Sequence, residues 1–450
     1  MRRPSSIGEN KLDRRSLLPI ILIVFTNILG AGVIIPVLPL YAEGEFAGSV
    51  FQITLLSTAF FGAQMVAAPL LGRLSDRFGR RPVLLLSQIG TILSFILFIF
   101  AAELGNLIAP MGAVVGLTGG MAMLYIARTL DGITGGNITT AQAWISDKTD
   151  DEYRAEALGL LQAAFGAGFI FGPAFGGFLA QYGPRWPFIG AATITTGTFL
   201  LTYFTLEESV SPSGPSERGQ DQPAASMPLR ALLRKPTVPV ILGIAFFATL
   251  AFAALPATFS LYADRVLFAG TPEGTTERNI GLMLAFHGVM TVLTQLALLR
   301  PLIKKLGERR LLLVGQISLI AAQWLIVPAE NALLVTVLFA PFALGQGVSD
   351  PTQQALITRF GDPRSSGQLL GIWQSARSAA LIVGPLWAGF VFEAYGPRSV
   401  FAVGGGIVVV ALGFAFALQI MDIPPPRPAR PVQDPPLGTE MLGTEAPKPL

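Results

Sequence analysis

The 450-residue chain contains no cysteine and one histidine, His287. Without cysteine there can be no disulfide, thiolate nucleophile or thiolate metal site, and a single histidine is too few for the usual zinc sites. Charged residues make up only 13% of the chain, whereas a soluble globular protein has about 25%. The sequence therefore predicts no metal and no cofactor, and its composition is that of a membrane protein.

Long apolar runs dominate the rest of the chain, and each is long enough to cross a bilayer core of about 30 Å. The first run lacks a small-residue cleavage site and a second run follows at once, so we interpret it as a retained helix rather than a signal peptide. Residues 107–120 are apolar and rich in glycine, and they could extend a helix or form a loop against the membrane. We predict twelve spans, at residues 17–41, 51–72, 82–102, 121–146, 155–180, 186–206, 237–263, 279–299, 311–328, 332–358, 367–391 and 399–420.

The positions of the basic residues predict the orientation. Of the 31 lysines and arginines, 25 lie in the tails or in loops on the side of the termini, and two lie inside spans. The other four are Arg185, Arg265, Arg278 and Arg398. The positive-inside rule then places both termini in the cytoplasm. The basic pI reflects this topology, so we expect membrane lipid and no nucleic acid as partners. Because no targeting segment is recognisable, we expect a bacterial cytoplasmic membrane.

The spans fall into two groups of six. We predict a cytoplasmic N-terminal tail at residues 1–16 and a first six-helix bundle at 17–206. A polar linker rich in proline, serine and glycine follows at 207–236, and a second bundle occupies 237–421. The proline-rich tail at 422–450 is predicted to be disordered.

The two groups resemble each other in sequence. "LGLLQAAFGAGFIFGPAFGGFLAQYGPRWPF" in the first is matched by "LGIWQSARSAALIVGPLWAGFVFEAYGPRSVF" in the second, and "LYAE" returns as "LYAD". "GRLSDRFGRR" has a weakly similar counterpart in "RPLIKKLGER", where Gly307 occupies the position equivalent to Gly79. A parallel six-plus-six repeat is typical of transporters. We therefore predict an all-α membrane protein of twelve transmembrane helices in two pseudo-symmetric bundles.

The stretch "GRLSDRFGRR" lies between the second and third spans, where its arginines could serve only as a positive-inside anchor. The other residues indicate more. Gly72 would let a neighbouring helix approach, Asp76 could cap or pair at a helix end, and Gly79 permits a tight turn. Asp147, at the end of the fourth span, is a plausible partner for Arg80. Such a cluster can latch a cytoplasmic gate in one conformation and release it in another.

Three motifs in order carry a family resemblance. The first resembles the loop 2/3 signature of the major facilitator superfamily, through Gly72, Leu74, Asp76, Arg77, Gly79, Arg80 and Arg81. "ARTLDGITGGN" resembles its helix 4 motif, through Arg128, Gly132 and Gly136. "GAGFIFGPAFGG" resembles the helix 5 motif of the drug/proton antiporters, through Gly168, Gly172, Pro173, Gly176 and Gly177.

Within the superfamily, "NILGAGVIIPVLP" and "DGITGGNITTAQAWISD" are most similar to the tetracycline/proton antiporters and their multidrug relatives. The resemblance implies a charge relay of Asp76, Arg80 and Asp147 at the cytoplasmic gate, and a helix 5 motif linked to antiport direction and to the prevention of leaks. The chain departs from the pattern at Asn27, where tetracycline antiporters carry an aspartate. This departure is an argument against tetracycline itself as substrate and against that family's proton route.

Ionisable side chains at membrane depth are costly and are therefore candidates for a role in proton coupling. They are Arg128, Asp131, His287, Asp350 and Arg377. Arg128 and Asp131 are three residues apart on one helix and share a face. They could form a self-satisfied ion pair, or a hold that protonation breaks.

The second half leaves more alternatives open. Asp350 and Arg377 both fall near the membrane midplane, where they could pair with each other or face the cavity from either side. Asp350 precedes Pro351, so it could also cap a broken helix. His287 could carry a proton or be packed and hydrogen-bonded to a neighbour.

Candidates for the substrate cavity combine amides with an aromatic ring, because amides can bind a polar group of the substrate and a ring can stack on a drug. Amides also bridge helices structurally. The candidates are Asn27, Gln64, Phe165, Gln295 and Gln374.

Together these features predict a secondary active transporter that works as a monomer by alternating access. It would export hydrophobic or amphipathic small molecules, with tetracycline-like compounds as one option, in exchange for protons. A nutrient importer or uniporter of the same fold is the alternative, and a receptor or scaffold that transports nothing is another. We predict no enzyme, since the sequence offers no nucleophile–base pair and no phosphate loop.

Overall fold

A computed structural model describes residues 14–149, 151–209, 232, 234–272, 274–359 and 366–421. Most of the predicted N-terminal tail and linker, and the whole predicted C-terminal tail, lie outside the described residues. In the described part the chain is helical and contains no β-strand. Long helices are expected here, because a span in lipid must satisfy its backbone hydrogen bonds internally.

The helices of the first half are α1 Arg14–Phe46, α2 Val50–Phe78, α3 Arg80–Ile99, α4 Ala101–Val114, α5 Gly119–Thr134, α6 Asn137–Lys148, α7 Asp151–Ala180 and α8 Trp186–Thr205. Those described in the second half are α9 Thr237–Phe252, α10 Ala254–Tyr262, α11 Thr275–Leu293, α12 Leu299–Ile326, α13 Ala332–Thr358, α14 Ser366–Tyr395 and α15 Ser399–Gln419. Two π-helical turns, Ala263–Leu267 and Thr294–Leu298, extend α10 and α11.

These helices make twelve membrane spans. Ten runs in the described residues are long and apolar enough to cross a membrane. One of them, Thr275–Ile326, has 52 residues, which at about 1.5 Å per residue is more than twice a bilayer core. It is broken at Gly307, whose φ is 74°, so it contains spans 8 and 9. Gly119–Lys148 is span 4, which is less apolar because it carries Arg128 and Asp131. The prediction of twelve spans is confirmed.

Residues 107–114 are helical, and residues 115–118 connect them to span 4. Helix α4 is a separate short helix, and its axis is bent by 96° from that of Gly119–Lys148. It packs closely on the start of span 4, since a Cβ on Gly105 would lie 2.5 Å from the backbone nitrogen of Gly120. Leu107 and Met111 point away from the protein and are 78% and 72% exposed.

Glycines with positive φ occupy equivalent turns of the two halves and mark the two ends of the bundle. Gly79 (φ 101°) and Gly307 (φ 74°) follow spans 2 and 8, and Gly183 (φ 129°) and Gly396 (φ 88°) follow spans 5 and 11. Left-handed backbone favours glycine, so the sequence repeat corresponds to a repeat of turns. We call the end with Gly79 and Gly307 the basic face, and the end with Gly183 and Gly396 the far face.

The two halves touch along spans 2 and 11 and along spans 5 and 8. Near the far face, the Ser260 hydroxyl in span 7 donates to the Ile35 carbonyl in span 1 (3.0 Å). The Thr58 hydroxyl in span 2 donates to the Ile382 carbonyl in span 11 (3.0 Å). Arg265 and Glu43 form an ion pair across the same boundary. These contacts close the space between the halves at the far face.

Candidate functional site

A cavity of about 250 Å³ lies between the halves at mid-depth. Its polar lining comes from the first half, namely Asn27, Ser57, Gln64, Thr91, Arg128 and Asp131. The second half supplies only the apolar residues Phe252, Pro256, Ala257 and Leu381. Most of the remaining wall is aliphatic or aromatic, as is usual for a site that binds small organic molecules.

Three of the five predicted cavity residues line this space, and two do not. Asn27, Gln64 and Phe165 contribute to the wall. Gln295 and Gln374 do not line it, and both are exposed. Gln295 sits in the π-helical turn Thr294–Leu298, which changes the helical register there.

The position of Gln374 follows from that of its neighbour in the helix. The neighbouring Trp373 is buried, and its indole N–H donates to the Gln353 side-chain carbonyl at 3.2 Å. Because successive residues of a helix point about 100° apart, burial of Trp373 turns Gln374 outward.

The sequence reasoning missed several cavity residues, among them Phe60, Ser57 and Thr91. Phe60 lies four residues before Gln64 and so shares its face of α2. That spacing could have identified it. No comparable signal marked Thr91, whose position depends on how α3 packs.

Arg128 and Asp131 form an ion pair in the wall of the cavity. Arg128 Nη1 donates to Asp131 Oδ2 at 3.1 Å, and each residue is only 7% exposed. The guanidinium carbon of Arg128 also lies 4.3 Å from the centroid of the Phe60 ring, a cation–π contact. Arg128 Nε is buried without a hydrogen-bond partner. The two charges of the pair therefore neutralise each other within the wall of the cavity.

Gln64 holds the bend of span 4 beside this pair. Its side-chain amide donates to the Gly135 carbonyl at 3.1 Å, where α5 has ended and α6 has not begun. The Gly135 amide in turn donates to the Asp131 carbonyl at 2.7 Å. The amide thus bridges spans 2 and 4 while it lines the cavity, so the structural and functional interpretations of Gln64 both apply.

Asp350 and Arg377 pair with each other within the second half, which is one of the alternatives that the sequence left open. The Arg377 guanidinium stacks on Trp373, 4.7 Å from the ring centroid. The pair lines a separate pocket of about 20 Å³ together with Gln346 and Ser349. It is not among the residues that line the larger cavity, although Phe252 lines both spaces.

The alternative that Asp350 caps a broken helix is wrong. Helix α13 continues from Ala332 to Thr358 through Pro351, so Asp350 caps no helix break. A proline in a helix removes one hydrogen bond but does not always end the helix, and neighbouring spans can satisfy the freed carbonyl.

His287 is packed among aromatic rings and lines neither pocket. Its ring centroid lies 5.5 Å from that of Phe339 and 5.6 Å from that of Phe342, both nearly perpendicular. The residue is 3% exposed, and its Nε2 has no hydrogen-bond partner. The packing that the sequence offered as one alternative is thus observed among the described residues, with no hydrogen bond at this nitrogen.

At the basic face, Arg80 joins the ends of spans 2, 3 and 4. It pairs with Asp76, and its Nε donates to Asp147 Oδ2 at 3.1 Å. Its Nη1 also donates to the Ser75 hydroxyl at 3.1 Å. The three charged residues that the resemblance places in one relay are therefore in contact.

The other residues of the stretch have different surroundings. Arg77 stacks on Phe78 with 5.3 Å to the ring centroid, and Arg81 donates to the Tyr203 carbonyl at 2.6 Å. A Cβ on Gly72 would meet no atom within 4 Å, so the expected close approach of a helix there is wrong for this conformation.

Glu208 completes this cluster and was missed, because the sequence placed it in the linker. Its carboxylate accepts from the backbone amides of Arg80 (2.8 Å) and Arg81 (3.2 Å) at the start of α3. An anion is stabilised at a helix N-terminus. A Cβ on Gly79 would meet the end of this flexible side chain, so the turn requires glycine chiefly for its positive φ.

The glycines of the helix 5 motif pack span 5 against span 1. A Cβ on Gly168, Gly172 or Gly176 would lie 2.8, 2.7 or 2.8 Å from the carbonyl oxygen of Phe25, Leu29 or Val33, respectively. Gly177 faces the other way, against Glu277 and Arg278 of span 8. The motif therefore occupies the junction where spans 1 and 5 of the first half meet span 8 of the second.

Comparisons with known proteins agree with this architecture. A profile described as the Major Facilitator Superfamily matches residues 20–275 and 269–447. The class E tetracycline resistance protein of Escherichia coli is 30% identical over 405 residues, which cover 88% of this chain and 94% of that protein. Multidrug resistance protein 2 of Bacillus subtilis is 27% identical, covering 91% and 95%.

Solved structures resemble the chain in fold. A bacterial homologue of the human lysosomal transporter Spinster, in an inward-facing and occupied conformation, has a TM-score of 0.70 at 17% identity, covering 90% of this chain and 96% of that one. The human organic anion transporter MFSD10 has a TM-score of 0.61 at 21% identity, covering 90% and 100%.

Proposed function

The chain belongs to the major facilitator superfamily, and on that premise we propose that it exports hydrophobic or amphipathic small molecules in exchange for protons by alternating access. The observation that carries the proposal is the mid-depth cavity, which is mostly apolar, is closed at the far face and has the Arg128–Asp131 pair in its wall. The similarity to tetracycline and multidrug resistance proteins supports export of drug-like molecules, with tetracycline-like compounds as one option.

We assign the basic face to the cytoplasm, in a bacterial cytoplasmic membrane. The support is the excess of arginine and lysine on that face and the bacterial source of the relatives named above. The conformation described here is then inward-facing. One chain contains both halves and the whole cavity, so a monomer suffices for transport.

Protons would act through the buried ion pairs. A proton on Asp131 abolishes its charge and releases Arg128, and a proton on Asp350 does the same for Arg377. Each event changes the stability of the state in which that pair is formed. Only a ligand that binds the two states with different affinity can shift their balance, so at least one pair must be rearranged in the outward-facing state.

The latch at the basic face fits the same cycle. The contacts of Arg80 with Asp76 and Asp147 hold the ends of spans 2, 3 and 4 together in this conformation. We propose that these contacts are rearranged when the basic face closes. The glycines of span 5 let it pack closely on spans 1 and 8 without charged contacts, so that the two halves can rotate against each other at this surface.

Drug-triggered proton movement in everted membrane vesicles tests the proposal. A fluorescent probe reports the pH inside vesicles under an imposed proton gradient, while a panel of neutral, zwitterionic and cationic drugs is added. Proton release that requires both drug and protein establishes antiport. Vesicles with an Asp131→Asn/Asp350→Asn double variant, present in equal amount, are the matched control.

Transport of a panel member without proton movement would instead support a uniporter of the same fold. Binding without transport would support the receptor interpretation.

A further inference from the structure

The cavity is electrically balanced. Among the described residues that line it, Arg128 and Asp131 are the only charged ones, and they neutralise each other. Asn27, Ser57, Gln64 and Thr91 supply polar but uncharged groups. A charged molecule that enters this space would therefore find no unpaired residue of opposite charge to bind.

The second half does not supply one either. Its contribution to the wall is apolar, and its own acidic residue at this depth, Asp350, is paired with Arg377 in a different pocket. A cation beside Asp131 would also lie close to Arg128, whose charge repels it, and it could take the whole carboxylate charge for itself only by displacing that arginine. That would leave the arginine buried with the Phe60 ring as its only attractive neighbour among the contacts described.

The same reasoning applies to anions, because an anion beside Arg128 would also lie close to the Asp131 carboxylate, which repels it. An unpaired charge in a low-dielectric site is strongly disfavoured. A molecule of zero net charge escapes this cost. If it carries an oxygen that accepts hydrogen bonds, it can also bind the side-chain amide of Asn27 or the hydroxyl of Ser57, which line the space.

We propose that the cavity, with Asp131 ionised, selects molecules of zero net charge that carry an acceptor oxygen and rejects permanent organic cations. This inference rests on the proposed export function and names its substrate class. Asn27 and Gln64 are then specificity-determining residues, because an acid at either position would provide the missing countercharge. Exchange of one proton for one neutral molecule moves net charge, so transport would respond to voltage as well as to pH.

Two probes of nearly the same shape separate the classes: triphenylphosphine oxide, which is neutral with an acceptor oxygen, and methyltriphenylphosphonium, a permanent cation. Binding of each to the full chain in lipid nanodiscs is measured by calorimetry at alkaline pH. We expect the wild type to bind the oxide at least about tenfold more tightly than the cation, since stranding a buried charge costs at least that factor.

The variant Asn27→Asp should reverse this preference, and Gln64→Glu provides an independent second test if Asn27→Asp does not fold. The matched control is Asn106→Asp, which adds the same charge to an exposed position on α4 and should leave the preference unchanged.

Wild-type binding of the cation as tight as that of the oxide would overturn the charge selection while leaving export standing. An equal change in preference in Asn106→Asp would overturn the assignment to this cavity. Failure of the wild type and both cavity variants to bind either probe would instead count against the cavity as a drug site, and with it against the proposed function.

Discussion

Replacing Asp131 by asparagine removes the countercharge of Arg128 and preserves the size of the side chain. The two residues are each 93% buried, and their charged atoms lie 3.1 Å apart. Breaking a buried pair from one side costs about 3–5 kcal/mol in free energy of unfolding. The contact of Arg128 with the Phe60 ring remains and offsets about 1 kcal/mol. We therefore expect Asp131→Asn to lose about 3 kcal/mol of stability.

The assay is unfolding by SDS in mixed micelles, followed by circular dichroism. A second variant, Arg128→Gln/Asp131→Asn, separates the lost pair from the stranded charge, because two neutral amides can hydrogen-bond to each other. We expect it to recover to within about 1 kcal/mol of the wild type. The reasoning is refuted if the single variant is as stable as the wild type, or if the double variant is no more stable than the single one.

The other predictions concern the latch, the helix packing and the proton sites. Asp76→Asn, which weakens the hold on Arg80, should abolish most export from vesicles that contain normal amounts of inserted protein; full activity would remove the latch. Gly172→Ala places a methyl 2.7 Å from a span 1 carbonyl and should lower the free energy of unfolding by about 1–3 kcal/mol in the same micelle assay. Gly72→Ala, in open space, should change it by no more than about 0.5 kcal/mol. Equal effects of the two variants would contradict the packing argument. Asp350→Asn should alter the pH profile of export, whereas His287→Phe should keep it, and the opposite pattern would move proton coupling to the histidine.

The repeat was the part of the fold that the sequence could best predict. The counterpart of "GRLSDRFGRR" puts a glycine at residue 307, and the chain turns there with positive φ as it does at Gly79. Such turns need a residue without a Cβ, so the sequence records them directly. The charged pairs were partly predictable for a similar reason. Intramembrane charges need partners, and few are available.

Features that depend on irregular backbone were not predictable. The π-helical turn at Thr294–Leu298 changes the helical register around Gln295, and no residue type marks that turn. The sequence left residues 107–120 open as either a loop or a helix extension. The position of α4 depends on the close contact of Gly105 with Gly120, which the sequence alone does not reveal. Glu208 belongs by composition to a linker, and its role at the start of α3 arises only when α8 brings it there.

The distribution of ion pairs bears on what limits the rocking of the halves. Among the ion pairs of the described residues, Arg265–Glu43 alone joins the two halves, and both side chains are at least one-third exposed. Such a pair contributes about 0–1 kcal/mol, so opening the far face has a small electrostatic cost. The remaining attraction between halves comes from close packing along spans 5 and 8 and along spans 2 and 11. Because the buried charges are neutralised within each half, either half can move without exposing an unpaired ion, and a proton that discharges one pair can change the balance between states.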